Sequence, residues 1–219
     1  LVKTDDTAYF AWNLAALAPW MPIQDPPDPR RKANALPPVA VIAREGFKAP
    51  NKLSDVIASS HRNRDEILKL KRAVDDKAAF IHERDTLGMT IRRWDSQGGS
   101  WKLQVLSALL TDAAESLEVW TAPAAPQEQG SAQQAAFIES WQAFMDHLVE
   151  LDVVDAPNLK RLLDGRALAQ ALGTKPGKWT GKALDICTEW QLRNPHETDP
   201  KGAIEEVRKR SEELGIVLQ

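Results

Sequence analysis

Lys175, Lys178 and Lys182 lie beside Gly173, Pro176 and Gly177, and together they are the residues of this chain best suited to holding phosphate. Leu168 and Leu172 make an i, i+4 apolar pair on a short helix, and Gly173 follows where a left-handed C-cap is wanted. Pro176 suits the start of a second helix, because its ring fixes φ at about −65°. Trp179, Ala183, Ile186 and Trp190 then recur at helical spacing, so this second helix buries one face. Its first turn offers backbone N–H groups and partial positive charge, Gly177 allows close approach, and the three ammonium groups add point charges. An ordinary helical hairpin with solvated lysines carries the same local pattern.

Charge is strongly segregated behind a net value of −3. Arg30 to Arg72 holds eleven Lys and Arg against four Asp and Glu, and Lys160 to Lys182 holds six against one. Asp112 to Asp155 holds nine acids and no Lys or Arg. Nucleic-acid binding follows local potential, so overall acidity does not exclude it. If RNA meets the basic segments, the acidic one faces away from it; otherwise folding brings acid beside base and neutralises both.

Residue types for bond-making chemistry are sparse. Metal-dependent nucleotidyl transfer needs carboxylates close together, and no Asp-x-Asp occurs anywhere in the sequence. His61, His82, His147 and His196 are scattered, with no i, i+4 metal pair and no triad-like neighbours. No Walker loop or dinucleotide fingerprint is present. Catalytic and metal-ligating residues are therefore expected to be absent, and this chain alone is expected to be inactive. Cys187 is the single cysteine, which excludes an internal disulfide and fits a reducing compartment. The start, Leu1-Val2-Lys3-Thr4, shows no targeting pattern, and no apolar run approaches the roughly 20 residues that cross a bilayer. It reads as a piece of a longer polypeptide.

The elements that must position these residues are all helical. With 43% apolar residues the chain can bury a real core, and no period-2 run marks a strand. The expected fold is all-α with no sheet: a multi-helix body over 1–152 and a smaller helical tail over 153–219. Thr4 with Asp5 and Asp6 starts the first helix, and seven prolines over 19–38 predict an extended connection. Short helices are expected at 39–45 and 51–60, with a longer one at 62–81. Leu87, Ile91 and Trp94 mark the next, closed by Gly98-Gly99, and Leu103, Leu106, Leu109 and Leu110 the one after. Residues 121–132 read as a flexible loop, and Phe137, Trp141, Phe144, Leu148 and Leu151 as an apolar stripe that forms core or a helix–helix seam. The tail carries a helix-turn-helix over 164–193 and a last helix from Asp199-Pro200 to Leu214-Gly215.

The motif D-G-x-x-L-x-x-x-L-G-x-K-P-G-x-W, from Asp164 to Trp179, resembles the C-terminal element of the eukaryotic class II tRNA nucleotidyltransferases, the CCA-adding enzymes. Softer likenesses to the fungal branch run through FAWNLAALAPWMPIQDPP, REGFKAPNKLSDVI, SSHRNRDEI and GMTIRRWDSQGGSWKLQVL. The resemblance implies a body and tail that grip the acceptor and TΨC stems of tRNA, with the tail reaching toward the elbow. The catalytic head and the neck would be supplied by the same parent polypeptide, and Mg2+ with CTP and ATP would belong to that head. Shape and charge would do the recognising, since duplex RNA offers phosphates and 2′-hydroxyls more than readable bases. The phosphate contacts implied are Arg44, Lys48, Lys52, Arg62 and Arg64 in the body, with Lys175, Gly177, Lys178 and Lys182 in the tail; Arg92 and Arg93 are weaker candidates. The parent enzyme would serve cytoplasm, nucleus or mitochondrion, where tRNA matures. The competing reading is a helical protein-interaction module, a homodimer included, that uses the Phe137 to Leu151 face and binds no RNA.

Overall fold

Helix starts follow from local chemistry. Thr4 and Thr7 cap each other reciprocally: the Thr7 amide donates to the Thr4 hydroxyl at 3.2 Å and the Thr4 amide to the Thr7 hydroxyl at 2.9 Å, with Asp5 and Asp6 in the first turn. The computed structural model describes residues 3–24, 35–120 and 127–216, and among these it is all-α, without a strand. The α-helices are α1 (Asp5–Leu17), α2 (Pro38–Glu45), α3 (Asn51–Asp75), α4 (Arg84–Asp95), α5 (Trp101–Trp120), α6 (Gln127–Glu150), α7 (Gly165–Ala171), α8 (Thr180–Arg193), α9 (Lys201–Lys209) and α10 (Ser211–Leu214).

Several boundaries differ from the sequence expectation. The helices expected at 51–60 and 62–81 are one 25-residue helix, α3, because Leu53, Val56, Ile57, Ile67 and Leu70 keep one buried face across Ser59-Ser60. The loop expected over 121–132 is helical from Gln127 onward, in keeping with the helix formers Gln127, Glu128, Ala132 and Gln133; residues 121–126 lie outside the described residues. Of the extended connection over 19–38, Pro19 sits in a 3₁₀ turn over Ala18–Trp20 and Pro38 opens α2, while residues 25–34 lie outside the described residues. The last helix is interrupted at Arg210 and ends at Gly215, which takes the left-handed C-cap at φ 66°.

The chain divides into two compact units: residues 1–78 with 94–147, and residues 79–93 with 148–219. This division differs from the linear split at 152, for 79–93 belong with the C-terminal part. In the first unit α5 packs on α1 and α3, and α2 packs on α3. Phe10, Leu14, Leu17, Met21, Val39, Ala43, Leu53, Val56, Ile57 and Leu103 form a continuous core. The fully buried Gln104 side chain donates to the Trp94 and Gly99 carbonyls and accepts from Asn63 at 2.8 Å, so its burial leaves no unmet amide. Gly99 is required there, because a Cβ would stand 2.2 Å from the Trp94 carbonyl oxygen. On α6, Trp141 stacks edge-on to Phe144 at 6.1 Å, donates to Asp112 at 3.2 Å and lies under the Lys71 ammonium at 5.7 Å. Trp141, Phe144 and Leu148 are thus buried, so the stripe is core as its spacing predicts, and its centre is closed to the docking that the protein-interaction reading gives it.

In the second unit Leu168, Leu172, Ala183, Ile186, Cys187, Ala203 and Val207 form the core, with Trp179 and Trp190 at its edge. Arg84 explains why 79–93 join it. Its guanidinium donates to the carbonyls of Leu151 (3.0 Å), Asp152 (2.8 Å) and Leu192 (2.6 Å), and pairs with the Asp152 carboxylate at 2.7 Å. Those carbonyls lie where α6 and α8 end and have no helical partner of their own. Arg92 does the same for the Ala156, Pro157 and Leu159 carbonyls, and Asp85 pairs with Arg193 at 2.6 Å.

Candidate nucleic-acid interface

The cations of the first unit gather at the turn from α2 to α3. Arg44 lies in the last turn of α2, exposed, 3.7 Å from the neighbouring Glu45 carboxylate. Such a surface pair contributes little and leaves the guanidinium available. Lys48 sits in the turn itself at φ 56°, a left-handed conformation that L residues seldom take. Lys52 stands in the first turn of α3 with its ammonium 5.6 Å from the Phe10 ring centroid. Pro50, the N-cap of α3, provides no side-chain hydrogen bond, so no cap side chain satisfies the first amides of this long helix.

Arg62 and Arg64 separate from that group. Arg62 is exposed further along α3 and makes no ion pair among the described residues. Arg64 turns inward: its side chain is only 15% exposed, its Nη2 pairs with Glu115 at 2.6 Å and its Nη1 lies 3.6 Å from Asp65. Its charge is neutralised by α5, so part of the acidic segment does lie beside part of the basic one. Ser140 on α6 likewise donates to Asp75 on α3 at 2.9 Å.

In the second unit Lys175, Lys178 and Lys182 are exposed and make no ion pair among the described residues. The turn between α7 and α8 is built as the sequence predicts at its first half: Asp164 caps α7 by accepting from Arg166 and Ala167, and Gly173 takes φ 67°. Its second half differs. The helix starts at Thr180, not at Pro176, and the Gly177 amide already donates to the Thr180 hydroxyl at 3.0 Å. A Cβ on Gly177 would meet the Trp179 ring at 3.1 Å, so this glycine accommodates an indole. Gly181 has the openness that Gly177 lacks, since nothing lies within 4 Å of where its Cβ would be. Its amide and that of Lys182 belong to the first turn of α8, between Lys178 and Lys182 in sequence. A glycine followed by lysine at the helix start, rather than at the turn, was the signal for it.

Of the two weaker arginine candidates, Arg92 serves the fold through the Ala156, Pro157 and Leu159 carbonyls. Arg92 is partly buried, and that burial first, then the charge of Arg161, holds its pKa below the ordinary value while Asp185 opposes the shift. Arg93 is also engaged. Among the described residues no three His, Cys, Asp or Glu side chains gather closely enough to hold a metal ion. Likewise, no helix among them is long and apolar enough to cross a membrane. The arrangement offers cationic side chains and open helix starts, which suit phosphates.

No family model matches the chain. No solved structure matches it either. Over its whole length it is 58% identical to the nucleotidyltransferase lcsQ of Purpureocillium lilacinum, covering 40% of that protein. It is 24% identical over 84% of its length to the mitochondrial CCA tRNA nucleotidyltransferase of Saccharomyces cerevisiae, covering 31% of it. A 31% identity over 28% of the chain relates it to the mitochondrial CCA tRNA nucleotidyltransferase of Candida glabrata, 12% of which is covered. The chain therefore spans less than half the length of the curated relatives it matches, on their C-terminal side. The chain is thus an all-helical homologue of the C-terminal side of fungal nucleotidyltransferases, among them CCA tRNA nucleotidyltransferases of yeasts.

Proposed function

We propose that this chain is the tRNA-binding body and tail of a CCA-adding tRNA nucleotidyltransferase. It holds the acceptor and TΨC stems and the elbow so that a head on the same parent polypeptide can extend the 3′ end. Mg2+, CTP and ATP belong to that head, and the parent enzyme works in the cytoplasm, nucleus or mitochondrion. The observation that carries the reading is the start of α8, where three exposed lysines without an acidic partner among the described residues flank the open Gly181. Relatives that carry CCA tRNA nucleotidyltransferase in their names support it.

Replacing Lys175, Lys178 and Lys182 together by Glu tests this. The expected result is a tRNA affinity at least about tenfold lower, with a salt dependence shallower by roughly one unit of logarithmic slope per lost phosphate contact. Unchanged affinity and slope would remove the tail from the interface. A second reading draws on α1, where Tyr9 and Trp12 lie i, i+3 apart, and Trp12 is 77% exposed. That face carries acids and no lysine beyond Lys3, so it suits a protein surface, a second copy of this chain included.

A further inference from the structure

The α2–α3 turn holds an exposed aromatic that charge alone does not explain. Phe47 is 67% exposed, between Arg44, Lys48 and Lys52 in sequence. The backbone on both sides of this ring is fixed by hydrogen bonds. The Gly46 amide donates to the Ile42 carbonyl at 2.8 Å, and a Cβ on Gly46 would stand 2.8 Å from that oxygen. The Ala49 amide closes the turn on the Ala43 carbonyl at 3.0 Å, Ala49 is buried, and Lys48 takes the left-handed conformation that turns the chain. The ring is thereby presented on a short, closed turn rather than on a free loop, which lowers the entropy lost when it is covered.

We propose that Phe47 is a stacking platform for an unpaired nucleobase of RNA, with Arg44, Lys48 and Lys52 taking the phosphates on either side. This rests on the RNA-binding reading above and gives it a substructure to recognise: a base outside the duplex, in a loop or at an end. An exposed apolar ring on a turn that carries Lys48, with Arg44 in the helix turn before it and Lys52 in the helix turn that follows, matches such a nucleotide, which pairs a π surface with an adjacent anion. A continuous duplex hides its base faces and offers only phosphates and hydroxyls. A protein partner with an apolar pocket would match the ring but not the three cations of the same junction.

The test measures binding of the full 219-residue chain to an intact tRNA transcript and to a blunt RNA duplex of equal length. Phe47→Ala is expected to weaken tRNA binding about tenfold and to change duplex binding by less than about twofold, the loss of one base stack. Phe47→Trp is expected to retain binding and Phe47→Leu to behave as Phe47→Ala, because flatness and not apolar volume is required. Truncating a side chain this exposed opens no cavity, and unchanged melting of the variants checks that they fold. Equal losses on both RNAs, full tRNA binding by Phe47→Leu, or no loss on either RNA would overturn the proposal, the last leaving Phe47 to a protein partner. Failure of the unsubstituted chain to bind either RNA would defeat the RNA reading itself, and this inference with it.

Discussion

Arginine is the residue whose role the sequence conceals most. Arg44 and Arg62 stay exposed, while Arg64 is neutralised by Glu115 and Arg84 and Arg92 donate to backbone carbonyls. A guanidinium offers five donors in a fixed fork, so it serves helix ends as well as phosphates, and a carbonyl partner leaves no trace in composition. Arg84→Ala should therefore destabilise the second unit by about 2–4 kcal/mol, and Arg84→Lys should recover only part, because one ammonium cannot span three carbonyls. A urea midpoint unmoved by Arg84→Ala would contradict this. Cys187 was legible as a core residue: burial is the main cause that pushes its thiol up to about 11, partly opposed by the Arg161 charge. Folded chains keep this proton to about pH 11, whereas an unfolded thiol releases it near pH 8.5. Its contribution to stability is then full below about pH 8.5 and is lost as pH rises toward 11. Iodoacetamide at pH 8 should label Cys187 slowly in the native chain and rapidly in urea; equal rates would mean an open thiol.

Helix existence and type were readable from apolar spacing, because burial enforces the period wherever a face is packed. Helix ends were not: α3 runs through Ser59-Ser60, α8 begins four residues after Pro176, and α6 extends into a stretch rich in polar residues. Each miss comes from reading a local breaker where a tertiary face continues, or a local starter where a side chain occupies the turn. The glycines of the second unit separate these effects. Gly202→Ala would drive a Cβ to 2.2 Å from the Trp190 ring, so it should cost about 1–3 kcal/mol. Gly181→Ala meets open space and should leave stability equal or raise it by about 0.5 kcal/mol. On the functional reading it should nonetheless weaken RNA binding, since the added methyl covers the first turn of α8. Thermal melts beside anisotropy titrations would check both, and a Gly181→Ala variant that binds as well as the parent would exclude that turn from the interface.

Across the molecule, residues 79–93 join the second unit through Arg84, Asp85 and Arg92, a grouping that a linear reading does not reach. Pairings about 60 to 110 residues apart cannot be seen in a window that detects helical period. The candidate site was legible in outline, as segregated charge and the Asp164 to Trp179 motif, while the exchange of Gly177 for Gly181 and the inward turn of Arg64 required coordinates. Segregation survives folding in part: the acidic segment meets Arg64, yet Lys175, Lys178 and Lys182 keep no acidic partner among the described residues. On the proposed function, a chain of net charge −3 holds RNA through such local potential. The most direct measurement is a titration of this chain with intact tRNA at low and moderate salt, competed by an acceptor-TΨC minihelix and by an unstructured RNA of equal length. Competition by the minihelix well ahead of the unstructured RNA, with affinity falling steeply as salt rises, is the predicted result. Equal competition by both RNAs, or no binding at low salt, would contradict a tRNA-holding role.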